Sequence, residues 1–204
     1  MSQSDSTPGK SDDHLIEQVI QSEFVYEGHF IRLKRDRVRL PDGREAVREY
    51  VVHPGAVMIV AILPNGHLVM ERQYRHPVGR VMLEFPAGKL DAGEGGLACA
   101  RRELLEETGY RARRWARAGI MHPVIGYANE FIELWFADGL TAGERQLDDG
   151  EFLDVFSASQ DELETWVRDG KLTDVKTIVG LMWLQQWRAG RWSLSWQDEP
   201  DAGR

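Results

Sequence analysis

Glu103, Glu106 and Glu107 fall at i,i+3 and i,i+4 spacing in a stretch that reads as a helix. The surrounding segment, residues 88–110, runs GKLDAGEGGLACARRELLEETGY. Residues 97–108 carry an apolar stripe at Leu97, Ala100, Leu104 and Leu105, the period of a helix that buries one face. Gly109 stands just past the end, where a left-handed C′ residue is expected. Three carboxylates on one face repel one another by a few tenths of a kcal/mol per pair. A hard divalent cation converts that repulsion into attraction and still leaves positions for phosphate oxygens. Arg102 is placed to hold a neighbouring carboxylate. Three acidic side chains alone would suit an ordinary solvated helix, and Glu94 alone would suit a helix N-terminus.

Elements on both sides must hold that helix in place. Residues 24–52 read as short strands broken by the turn Pro41-Asp42-Gly43, a small antiparallel sheet ahead of the main domain. Residues 56–63 form a continuous apolar run expected as a buried strand. Pro64-Asn65-Gly66 then turns the chain, and residues 67–73 are expected to return as its hairpin partner. Residues 131–137 and 152–156 read as further strands. Ser159 with Glu162 forms a capping box, closed by Gly170, and Asp174 opens a last helix running to about Arg188. Its face of Ile178, Leu181, Met182 and Leu184, with Trp166, Trp183 and Trp187, is expected as core or dimer-interface packing. The expected boundaries are a disordered tail over 1–13, the N-terminal sheet over 14–54, a catalytic domain over 55–192 and a tail over 193–204. Periodicity by itself yields mixed α and β.

Composition narrows the class. A chain of 204 residues with 42% hydrophobic content builds one globular domain, or one with a small appendage. Its net charge of −8 disfavours nucleic acid and anionic membrane as partners. No apolar run is long enough to span a bilayer, and residues 1–14 lack the apolar core of a signal peptide. The single cysteine, Cys99, fits a reducing compartment and reads as a small core residue. The cytoplasm is the expected location.

Residues 88–110 fill every fixed position of G-x5-E-x7-R-E-U-x-E-E-x-G-U, with Tyr110 at the last bulky apolar place. The segment resembles the Nudix box of the Nudix hydrolases, which cleave nucleoside diphosphates linked to another moiety. Residues 48–57 (REYVVHPGAV), 71–75 (ERQYR) and 84–88 (EFPAG) look like the ADP-ribose pyrophosphatase subfamily. Pro123, in residues 122–130 (HPVIGYANE), approximates a proline that the subfamily usually carries in Ser-Pro-Gly. The similarity spans about residues 24–187.

The resemblance implies an α/β/α sandwich around a mixed sheet, preceded by the small antiparallel sheet. It implies Mg2+, or Mn2+, with more than one ion per site. Glu103 and Glu107 would be the principal metal ligands, with Glu106 assisting in binding and catalysis and the Ala87 carbonyl adding a ligand. Arg75 would meet the diphosphate, unless it serves only as a strand ion pair. Glu84 would sit near the metals or a substrate hydroxyl. Glu151, or else Asp149, in the acidic loop 147–154 would be the general base. Arg48, Gly88 and Glu130 would contact substrate, and the adenine platform would come from Phe24, Tyr26, Phe30 or Tyr50. The subfamily exchanges its N-terminal sheet between protomers, which implies a homodimer.

The expected reaction is metal-dependent hydrolysis of ADP-ribose to AMP and ribose 5-phosphate. Other substrates remain open, among them a different nucleoside-diphosphate sugar, a dinucleoside polyphosphate or NADH. A non-catalytic nucleotide sensor on the same fold is the alternative from another class, and loss of box carboxylates would mark it.

Overall fold

A computed structural model of the chain describes residues 11–147 and 150–199. The tail expected over 1–13 lies outside the described residues up to residue 10, as does Asp149. Residues Asp12–His14 form a short 3-10 turn capped by the Ser11 hydroxyl. The elements then follow as β1 (Gln18–Glu27), β2 (Arg32–Arg39), β3 (Glu45–Val52), β4 (Ala56–Ala61), β5 (Leu68–Arg75), β6 (Arg80–Glu84), β7 (Ala87–Lys89), α1 (Gly96–Thr108), β8 (Tyr110–Met121), β9 (Ile132–Ala142), β10 (Leu153–Ala158), α2 (Gln160–Arg168), α3 (Val175–Arg188) and β11 (Trp196–Asp198).

The chain divides into two compact units, one ending at His53 and one beginning at Pro54. The first is the antiparallel meander β1-β2-β3, turned between β2 and β3 at Gly43 as the Pro-Asp-Gly signal requires. Val124–Asn129 groups with this unit, although the sequence reading placed it in the catalytic domain. Its backbone explains the difference. Val51 N–H donates to the Tyr127 carbonyl and His53 N–H to Asn129 Oδ1, so the loop runs along β3.

The second unit is an α/β/α sandwich. Its five-stranded sheet has the order β11-β8-β9-β4-β7, with β4 and β9 parallel and the other neighbours antiparallel. β4 is buried on both faces, which is why it reads as one apolar run. Val57, Ile59 and Ala61 turn one way, into a core with Cys99, Ala100 and Leu104 of α1. Met58, Val60 and Ile62 turn the other way, into a core with Leu163 of α2 and Leu181 and Leu184 of α3. Alternate residues of one strand thus feed two helical layers. Trp166, Trp183 and Trp187 pack against the second of these cores.

Two expectations are corrected. Residues 67–73 do not return as a hairpin partner of β4. β5 lies in a separate sheet of order β10-β5-β6, and the turn after β4 is closed by the isolated bridge Ile62↔Leu68 and by Leu63 N–H donating to the His67 carbonyl. Both edges of β4 are already hydrogen-bonded, to β9 on one side and β7 on the other, so no edge is left for β5. The tail expected from Ser193 on contains β11, which pairs with β8 through Trp196↔Ala116 and lodges Trp196 beside Trp187. β8, a strand of 12 residues between the helix and the loop, has no counterpart in the sequence reading. Among the described residues no helix is long and apolar enough to cross a membrane.

Candidate active site

α1 extends over Gly96–Thr108, and Gly109 ends it at φ 75°, donating its N–H to the Leu105 carbonyl. That is the left-handed closure expected of glycine. The helix buries Leu104 and Glu107 on its inward side and leaves Glu103 and Glu106 half-buried along one edge. Glu107 Oε2 accepts the Ala87 N–H at 3.1 Å, which ties the helix to β7 at the peptide expected to present a metal-binding carbonyl. Gly88 follows. A Cβ there would overlap the Glu103 carboxylate, so glycine is what allows α1 to lie against this strand.

Arg102 organises the solvent side of the helix. It grips Glu94 with Nε at 3.0 Å and Nη2 at 2.8 Å. Its Nη1 reaches Glu103 at 2.8 Å and Glu106 at 3.0 Å. This two-pronged bond holds the Glu94 carboxyl down at about 2. Cys99 lies beneath, buried, donating to the Lys89 carbonyl at 3.3 Å, and burial pushes its thiol well up. It is a packed core residue, as expected.

The opposite wall comes from β5 and β6. Alternation along β5 puts Glu71, Gln73 and Arg75 on one face. Arg75 binds Glu84 through two contacts, Nε to Oε1 at 2.8 Å and Nη2 to Oε2 at 2.9 Å. Lys176 of α3 bonds the same carboxylate and also reaches Asp174 at 2.9 Å. Burial alone would raise the Glu84 carboxyl, but Arg75 and Lys176 outweigh it and hold it below its ordinary value. Asp174 caps α3 by accepting the Thr177 N–H, and the Thr177 hydroxyl accepts the Phe85 N–H at 2.9 Å. The first turn of α3 therefore clamps the chain where it leaves Glu84 for Ala87 and Gly88. Gln73 Nε2 donates to Glu151 Oε1 at 3.1 Å, which brings the expected base to the same wall.

Carboxylates outnumber cations here. Burial first, then repulsion from Glu106 and Glu151 against the pull of Arg102, lifts Glu103 to about 7. Burial and the Glu84 and Glu151 charges lift Glu71 to about 8. Glu107 is raised well above its ordinary value by burial and by Glu71, Glu103 and Glu151. Glu71 is 3% exposed, and its Oε1 has no hydrogen-bond partner among the described residues. A set of buried, mutually repelling oxygens with one unpaired atom fits a hard divalent cation.

Of the residues expected at the site, Glu84, Arg75, Ala87, Gly88, Glu103, Glu106, Glu107 and Glu151 all belong to the second unit, where Arg75 bonds Glu84, Glu107 bonds Ala87, Arg102 bonds Glu103 and Glu106, and Gln73 bonds Glu151. Glu130 is half-buried in that unit. Arg48, Phe30 and Tyr50 lie in the first. There Arg48 pairs with Glu17, Tyr50 donates to Asp36 at 3.1 Å, and Phe30 is exposed. Phe24 carries the Arg32 guanidinium 4.2 Å above its ring. The structure adds Glu71, Gln73 and Lys176 to the expected set. For the first two a signal existed, since they share the alternate positions of β5 with Arg75.

The chain matches two family models, the NUDIX domain over residues 52–176 and the nucleoside diphosphate sugar hydrolase N-terminal domain over residues 17–51. It is 36% identical to the ADP-ribose pyrophosphatase of Bacillus subtilis (strain 168) over 173 residues, 84% of this chain and 94% of that protein. It is 38% identical to the methanol dehydrogenase activator of Bacillus methanolicus, over 83% of this chain and 92% of the relative. An ADP-ribose pyrophosphatase of Mycobacterium tuberculosis (strain ATCC 25618 / H37Rv) is 43% identical over 60% of each chain. The fold of this chain is similar to that in a crystal structure of an ADP compounds hydrolase, at a TM-score of 0.78 and 23% identity over 90% of this chain and 98% of the other. With the box carboxylates on α1, the sandwich around them and a family model spanning most of the chain, this protein belongs to the Nudix family.

Proposed function

We propose that the protein hydrolyses the diphosphate of ADP-ribose, giving AMP and ribose 5-phosphate. The observation that carries this reading is the convergence of Glu103, Glu107 and the Ala87 peptide, fixed by the Ala87–Glu107 bond, opposite Arg75. The relatives named ADP-ribose pyrophosphatase support the choice of substrate.

Glu103, Glu107 and the Ala87 carbonyl would hold Mg2+, or Mn2+, as more than one ion, with Glu106 assisting. When bound there, the metal supplies polarisation of the diphosphate and a more acidic water. Glu151, oriented by Gln73, accepts the proton of the attacking water, a contribution typically worth about 10^2 to 10^4 in rate. Arg75 turns from Glu84 to the diphosphate, while Lys176 keeps Glu84 paired and ionised. Arg102 keeps Glu103 and Glu106 from spreading apart. Catalysis in this arrangement is mainly charge neutralisation and positioning. Gly88 and Glu130 contact substrate, and Arg48, Phe30 and Tyr50 are the proposed nucleoside contacts.

Two further parts of the reading rest on the N-terminal unit and on Cys99. β1 is exposed along its whole length, with Val19, Phe24, Val25 and Tyr26 open to solvent, apolar surface that calls for a cover. The partner is a second copy of this chain, in a homodimer. The single buried thiol fits a reducing cytoplasm.

The test is turnover with Mg2+ of ADP-ribose, a sugar nucleotide, diadenosine polyphosphates and NADH. ADP-ribose giving AMP much faster than the others supports the reading. Faster turnover of another substrate would retain the chemistry and replace the substrate.

A further inference from the structure

The charges around α1 do not balance among themselves. Arg102 serves Glu94, Glu103 and Glu106, and both Arg75 and Lys176 serve Glu84. Glu107 accepts a neutral backbone N–H and Glu151 a neutral amide. Glu71, outside the Nudix box, is 97% buried by its 3% exposure and has an oxygen without a partner. It stands directly opposite Glu84 in the β5–β6 ladder, where side chains share one face and like charges repel. Its charge also repels that of Glu107. A buried carboxylate among carboxylates needs a proton or a cation. A proton satisfies one oxygen. A divalent cation satisfies Glu71 and Glu107 together and removes their repulsion.

We propose that Glu71 is a further carboxylate of the divalent-cation site, reaching from β5 the ions that Glu103 and Glu107 meet from α1. This rests on the metal-dependent reading above. It places one ligand on the sheet wall rather than on the helix, so the cations bind the two walls to each other.

The test is Mn2+ titrated into the metal-free, full-length protein without substrate, with free Mn2+ read by electron paramagnetic resonance. Glu71→Gln keeps the shape and removes the charge. It binds Mn2+ at least about tenfold more weakly, or one ion fewer, while its metal-free unfolding temperature does not fall. Wild-type affinity and ion count in Glu71→Gln would overturn the proposal. Should that variant fail to fold, Glu71→Asp, which keeps the charge and draws it back by one methylene, decides in the same way. Mn2+ that does not bind the wild type would instead remove the metal reading itself, and this proposal with it.

Discussion

Arg75 and Glu84 face each other across β5 and β6 and meet in a two-pronged ion pair, with Lys176 holding the same carboxylate from α3. Glu84 is almost wholly buried and Arg75 about 41% exposed. The acid is therefore fixed, and the guanidinium is the partner free to turn toward a ligand. Glu84 keeps a cation when Arg75 moves, so the exchange does not strand a buried charge.

Arg75→Ala raises KM for ADP-ribose by about tenfold or more, the equivalent of ~1.4 kcal/mol. Lys176 limits the loss of stability to about 1 kcal/mol. Steady-state kinetics beside a denaturant titration checks both. An unchanged KM together with a large loss of stability would make Arg75 a structural strand residue only.

At Gly88 the constraint is space. Gly88→Ala puts a methyl where the Glu103 carboxylate lies, and the carboxylate must shift to admit it. A displacement of about 1 Å in a positioned group costs on the order of 10^2 in rate. The expected variant folds, by circular dichroism, and loses about that much kcat. Near-normal kcat would show that Glu103 has no fixed place to keep.

Thr177→Val removes a fully buried hydroxyl that accepts the Phe85 N–H and donates to Asp174. An amide left without a partner costs about 1–3 kcal/mol. Urea unfolding of this variant shifts by that amount, and kcat falls as well, because the clamped segment carries Ala87 and Gly88. A variant as stable as the wild type would mean that α3 does not clamp this turn.

In metal-free protein, Glu71 titrates near 8 and Glu103 near 7 in the fold, against 4.5 for an ordinary glutamate. The folded state binds these protons more tightly than the unfolded chain. Their stabilisation is thus complete below about pH 4.5 and is lost as pH rises through 7 and 8. Each group contributes a slope of up to ~1.4 kcal/mol per pH unit. With chelator present, the unfolding temperature falls between pH 6 and 9, and added Mg2+ restores it most at the alkaline end. Calorimetry across that range checks the sign. A temperature that rises with pH in chelator would contradict it.

Much of the site was legible because its chemistry is local. Glu103, Glu106, Glu107 and Arg102 sit within two turns of one helix, where spacing alone determines which side chains share a face. The closure at Gly109, the capping box at Ser159 and the start at Asp174 were legible for the same reason. Strand partners were not. β4 is apolar on both faces, so its sequence carries no sign that its neighbour is β9, 76 residues on at Ala56↔Ile132, rather than the adjoining β5. Glu71 reads as the polar end of an apolar run, and only the β5–β6 register sets it opposite Glu84. Lys176 sits in the first turn of a helix far along the chain, and nothing nearby marks it as the partner of a β6 carboxylate.

Metal-dependent cleavage of ADP-ribose at the carboxylates of α1 is open to a direct assay. The most direct measurement is AMP release from ADP-ribose with Mg2+ by wild type and by Glu103→Gln. AMP and ribose 5-phosphate are expected from the wild type, none in chelator, and a rate lower by about 10^2 or more in the variant. Undiminished release by Glu103→Gln, or release by the wild type in chelator, would contradict it.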